Sequence, residues 1–215
     1  MRTADLLLYA RVHRTTAILI GVSAVAVLSA LFGGTRIPLP SFGSAGTTEG
    51  IPYRQELPLM SAVFLTAVFG GAMAAHEEAA ASRAHRVAVA HLVLLSLTAC
   101  ALSFATESLA MGLDAGLVYV RSLLVWLGLA LLSVRLFGPQ HGWILPLASA
   151  FPLVWFGPNR WNWTESSAAD GLGWTIAAAS LAVGSTAVAA TRWRIRAAGR
   201  GGLRAWSRRP PVRPS

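Results

Sequence analysis

The chain has 215 residues, is 54% hydrophobic and only 13% charged, and combines a net charge of +9 with a mean hydropathy of +0.55. Soluble domains carry about a quarter charged residues, so this composition excludes an ordinary water-soluble fold. All eighteen basic residues are arginine and lysine is absent, which rules out a G-x-x-x-x-G-K-[ST] phosphate loop and hence ATP hydrolysis by a P-loop in this chain.

Residues 3–14, "TADLLLYARVHR", are too short and too charged to span a bilayer, and they fit an amphipathic helix lying along the inner face, within a segment 1–15. No small-residue cleavage site follows, so this start does not read as a removed signal. Apolar runs then recur at 17–34, 58–75, 87–104, 117–137, 143–157 and 171–191. Most come near the roughly twenty residues needed to cross a bilayer as a helix. Alternating barrel patterning is absent, and helices satisfy their own backbone groups inside lipid. The expected fold is therefore all-α, a polytopic membrane protein with a six-helix transmembrane domain over 16–191. The fifth run is short and holds Pro146 and Pro152, which kink a helix or end it early. Residues 35–57, rich in Pro and Gly, read as a loop. The tail, 192–215, carries eight arginines among Gly and Pro and reads as a disordered basic segment attracted to anionic lipid rather than to nucleic acid.

Arginine placement gives the orientation. With the N-terminus inside, fourteen of the eighteen arginines fall on inner segments, so the positive-inside rule puts both termini in the cytoplasm. The arginine-only, Ala- and Gly-rich composition suggests a high-GC bacterial genome, and with it a bacterial inner membrane.

The densest polar stretch between spans is "AHEEAAASRAHR", 75–86. His76-Glu77 begins like H-E-x-x-H, but position 80 is Ala, so the second zinc ligand is missing. A looser likeness is to the CAAX-processing intramembrane proteases. Glu77-Glu78 precede Arg83 with one residue too many, Phe137 and His141 give F-x-x-x-H, and no later histidine supplies the third motif. Neither reading yields a catalytic or metal site. His91, early in the third span, fits a hydrogen bond to a neighbouring helix. The lone Cys100 permits no disulfide framework and reads as packing. Asn162-Trp163-Thr164 matches a glycosylation sequon, uninformative in a bacterial chain. Asp114 and Arg121 lie seven residues apart, on one face of a continuous helix, and suggest an ion pair at the outer rim; Glu107 lies seven earlier again. Small residues, among them Gly21, Ala26, Ser180 and Gly184, favour close helix packing or a subunit interface.

Taken in order, an inner-face helix, a span and outer loop, a second span, a short charged inner helix and then four further spans, the chain resembles the permease subunit of type-2 ABC exporters. The resemblance covers nearly the whole chain as architecture. It implies that Glu77, Glu78, Ser82, Arg83 and Arg86 form the coupling helix that docks on a separate ATPase, and that 6–14 form the elbow helix. Acidic residues ahead of Ala79–Ala81 and arginines after them also match the helix dipole. The implied partners are a cytoplasmic P-loop ATPase and a second permease, identical or similar. ATP and Mg would sit on the ATPase, with no cofactor in this chain. Two other classes stay open: an intramembrane metalloprotease-like hydrolase, which requires Glu77, Glu78 and His141 to converge, and a non-catalytic membrane assembly or immunity protein.

Overall fold

The computed structural model describes residues 15–40, 48–69, 82–155, 164 and 166–206. Six helices lie within them: α1 (Thr15–Phe32), α2 (Tyr53–Thr66, extended by a 3-10 turn over Ala67–Phe69), α3 (Ser82–Met111), α4 (Leu113–Phe137), α5 (Ile144–Trp155) and α6 (Gly171–Trp206). They fall on the six apolar runs of the sequence. Four of them, α1, α3, α4 and the first part of α6, are long and apolar enough to cross a membrane. The apolar part of α2 is shorter, over Glu56–Phe69, and α5 has 12 residues.

Two segments differ from the sequence reading. The stretch expected as a loop holds a hairpin, β1 (Arg36–Pro40) against β2 (Thr48–Pro52), with Arg36 opposite Pro52, Pro38 opposite Gly50 and Pro40 opposite Thr48. All three prolines fall in alternate pairs. Antiparallel pairs alternate between hydrogen-bonded and non-hydrogen-bonded, so the three prolines, which have no N–H to give, share one phase of the ladder. At the other extreme, α6 is continuous to Trp206. It passes through the glycines at 199, 201 and 202 that the sequence reading treated as breaks in a disordered tail. Residues 1–14, expected as the interfacial helix, lie outside the described residues.

The helices alternate in direction. α3 and α4 reverse on the single residue Gly112, at φ 95° and ψ 166°, a conformation open almost only to glycine. At that end of the bundle, Arg121 near the start of α4 bonds to Ser166 and Ser167 just ahead of α6. At the opposite end, Gly142 packs against Thr66 near the end of α2, and the Thr15 hydroxyl on α1 lies 2.9 Å from Nε2 of His91 on α3. The hairpin and residues 166–170 thus mark one end, and the starts of α1 and α3 the other.

α4 is the central element. Of its most apolar stretch 61% is buried, against 17–33% for the other three spans. Leu123, Trp126, Leu127 and Leu131 of α4 share one core with Ile18 and Val22 of α1, Leu59, Ala62 and Leu65 of α2, Leu92, Leu95 and Ala99 of α3, and Ala150 of α5. Against α6 it packs more closely still. A Cβ built on Gly128 would overlap the Ser180 backbone, and one on Gly184 would overlap the Gly128 carbonyl. Ser180 Oγ also donates to the Val125 carbonyl at 2.9 Å. Lipid tails are as apolar as leucine, so such close approach, with its dispersion contacts and interhelical hydrogen bond, carries the association. The outward side chains, including Ile20, Leu31, Leu94, Leu97 and Phe151, are exposed, as expected of surfaces that face lipid.

Gly184→Leu should therefore separate α4 from α6 and cost about 1–3 kcal/mol. Ala182→Val, on the exposed face of α6, should stay within about 0.5 kcal/mol. Thermal unfolding of the two purified variants in one detergent distinguishes them.

Candidate functional site

The residues singled out in the sequence fall into two groups, one at each end of the bundle. Glu77 and Glu78 lie outside the described residues. Ser82, Arg83 and Arg86 form the first turns of α3, so the basic half of the charged segment is helical and continuous with a membrane span. His141, of the F-x-x-x-H pattern, is exposed, with Nδ1 3.0 Å from the Phe137 carbonyl of its own turn. Among the described residues no three His, Cys, Asp or Glu come together as a metal site. His91 is 3% exposed and meets Thr15, the interhelical contact its position suggested.

The other group centres on Arg121. It sits two turns into α4 and is 0% exposed, a costly place for a cation unless its donors are engaged. Nη1 donates to the Ser167 carbonyl and Nη2 to the Ser166 carbonyl, both at 2.7 Å. The acid it faces is Asp170. This corrects the expected partner. Asp114 is exposed in the first turn of α4, where its charge suits the helix N-terminus, while the guanidinium turns toward α6. Gly173 makes the room: a Cβ there would come within 2.9 Å of Nη1 and 3.0 Å of Cζ.

Asp170 serves two partners at once. Its Oδ1 accepts from the Leu172 amide at 3.1 Å and its Oδ2 from the Gly173 amide at 3.2 Å, which makes it the N-cap of α6. The Ser166 hydroxyl, those two amides and Arg121 together hold its carboxyl below the usual aspartate range. Trp174 Nε1 donates to the Ala168 carbonyl at 2.9 Å. The 166–170 segment is thus tied down by one arginine, one cap and one tryptophan.

Near Arg121, on the side of α4 that faces α2 and α3, lies a second polar layer. Tyr119 of α4 (1% exposed) faces Ser61 of α2, Ser103 and Glu107 of α3, all three 0% exposed. The Glu107–Asp114–Arg121 spacing drew attention to this region for the wrong reason. The chain reverses at Gly112, so Glu107 reaches α4 from the neighbouring antiparallel helix.

Comparison with protein-family models, curated proteins and solved structures finds no match. The functional reading therefore rests on the chain's own geometry.

Arg121→Gln should leave at least one of the two serine carbonyls without a charged donor, at about 1.5–3 kcal/mol for each. Hydrogen exchange over 166–173 should rise while the α1–α3 core stays protected. The acid sensitivity has a definite sign. A depressed native carboxyl stabilises fully above the ordinary Asp value of about 3.9 and loses that contribution as pH falls through the lower native value. Protection of 166–173, corrected for intrinsic exchange, should be flat from about pH 7 to 5 and fall only under stronger acid. In Asp170→Asn this fall should be absent.

Proposed function

We propose that the chain is the permease subunit of an ATP-driven export system in a bacterial inner membrane, working with a separate cytoplasmic P-loop ATPase. In this reading all six helices cross the bilayer, both termini are cytoplasmic, and residues 1–15 form the interfacial elbow. Two copies, or one copy and a similar chain, enclose the transport path. The observation that carries the reading is the gathering of basic sequence at one end of an alternating bundle. The starts of α1 and α3, the end of α4 and the far part of α6 all belong to the end opposite the hairpin. Eight of the eleven arginines among the described residues belong to those segments.

A second support is mechanical. Ser82, Arg83 and Arg86 begin a helix of 30 residues without interruption. A push on Glu77, Glu78, Ser82, Arg83 and Arg86 by a soluble partner would pass directly into a span packed on α1 and α4. ATP and Mg bind the partner, and the permease itself catalyses nothing.

Affinity purification of the tagged chain from native membranes should recover a P-loop ATPase in near-equal amount, identified by mass spectrometry. The combined variant Glu77→Ala, Glu78→Ala, Arg83→Ala should release it without changing the melting of the membrane domain. Absence of any ATPase overturns the function; docking that survives the triple substitution overturns the site.

A further inference from the structure

The turn between α3 and α4 is apolar where turns are usually polar. Between Glu107 and Asp114 the chain reads Ser-Leu-Ala-Met-Gly-Leu, without a charge. Leu109 is 90% exposed, Leu113 67% and Met111 58%. Ala110 and Gly112 are exposed as well. Among the described residues no other large apolar side chain is as exposed as Leu109. The neighbouring connections at this end are built differently. The hairpin carries Arg36 and Glu49, and the segment ahead of α6 carries Ser166, Ser167 and Asp170.

An exposed apolar patch marks a contact with protein or with membrane. Helix length points to membrane. Arg86 in the first turns of α3 and Arg135 in the last turn of α4 lie at the opposite end, where juxtamembrane arginines sit among headgroups. Leu113 stands 22 residues from Arg135, and Met111 stands 25 from Arg86. At about 1.5 Å per residue those stretches are about 33 and 38 Å long. The hydrocarbon core is about 30 Å thick, and the bilayer with its headgroups about 40–45 Å. The reversal therefore stops in the headgroup layer, a few ångströms past the core and short of bulk water. Asp114 bounds the depth from the other side. It is exposed, and a carboxylate suits the headgroup layer but not the acyl core.

The outward face of α3 runs into the turn without a break. Leu94, Thr98, Ala101, Ala105 and Leu109 recur at steps of three and four residues and all are exposed, so they form one face of the helix. The single hydroxyl on that face, of Thr98, donates to the Leu94 carbonyl of its own helix at 2.9 Å, as a group facing lipid must. The opposite face turns Ser103 and Glu107 into the bundle.

We propose that the reversal at Gly112 is a membrane-seated tip. Leu109, Ala110, Met111 and Leu113 lie against lipid at the boundary of acyl chains and headgroups, in the leaflet at the hairpin end. The partner of this patch is lipid, not a soluble protein and not a second copy of the chain. The proposal requires only that α3 and α4 span the membrane, and it is independent of any ATPase.

The test uses the full chain with its single cysteine removed, Cys100→Ala. Single cysteines are then introduced as Leu109→Cys, Ala110→Cys and Met111→Cys. Leu97→Cys, midway along the outward face of α3, and Ser167→Cys, on the polar segment, serve as references; both positions are exposed. Each is labelled with a small environment-sensitive fluorophore, and the protein is placed in phosphatidylcholine–phosphatidylglycerol nanodiscs, which leave both faces open to solutes. The three tip probes should emit to the blue of the probe at 167. They should lose more fluorescence to a lipid nitroxide carried near the headgroup than to one at the acyl terminus, and little to iodide. The probe at 97 should favour the deep nitroxide, and the probe at 167 should be quenched by iodide. Iodide quenching at the tip equal to that at 167 places the tip in water and overturns the proposal. Protection from iodide and from both nitroxides shows a tip covered by protein and overturns it too. Ala110→Cys keeps Leu109 and Met111, so it decides the matter if replacing either of them disturbs the fold.

Discussion

The seam between α4 and α6 is the constraint on which the arrangement depends. No water is squeezed out when two apolar helices meet in lipid, so hydrophobic area alone cannot join them. What can is backbone-to-backbone approach, and Gly128, Ser180 and Gly184 allow it where larger side chains would not. The same face of α6 carries Ala177 and Gly173 toward the hairpin end. One line of small residues therefore serves two purposes. It brings the helices into contact near their middle, and at the end it clears a flat bed for the Arg121 guanidinium. Because α4 also packs on α2, α3 and α5, and α1 packs on α2 and α3, whatever fixes α6 against it fixes α6 against the whole bundle.

Burying an arginine beside that seam is costly unless partners meet its donors. Two carbonyls of an irregular segment need donors, and inside or near a bilayer water supplies few. Arg121 supplies two from one planar group, and Asp170 returns charge while capping α6. The segment ahead of α6 is thus held by groups on the helix it must pack against. Its order and the position of α6 become one property.

Much of this was legible in the sequence, and the parts that were not share a cause. The six apolar runs located the six α-helices among the described residues, because hydropathy responds to a property each residue carries alone. The weakness of the fifth run also showed, through Pro146 and Pro152. His91 was placed rightly because a lone polar residue near the end of a span has few options other than a neighbouring helix. The polar interior was harder. The Asp114–Arg121 pairing came from spacing along one helix, whereas the partners that Arg121 takes lie some 45 residues later and include two main-chain carbonyls, which no side-chain pattern marks. Asp170 did leave a signal: an aspartate just ahead of an apolar helix is a cap in its own right. Ser61, Ser103 and Tyr119 left none, since serine and tyrosine occur in spans for many reasons and only their convergence from three helices sets them apart. The basic extension of α6 was misjudged for a local reason: glycine weakens a helix without ending it.

The reversal at Gly112 bears on how the protein is made. With one residue between α3 and α4, no stretch of chain can rest in water after the first of them has entered the membrane. A link that short suits entry of the two helices as a closed pair. That pairing carries Glu107 and Arg121 into lipid in company rather than in succession, and Tyr119 already faces Glu107 across it. A glycine of unusual backbone angle thus makes close neighbours of the two helices that carry Glu107 and Arg121.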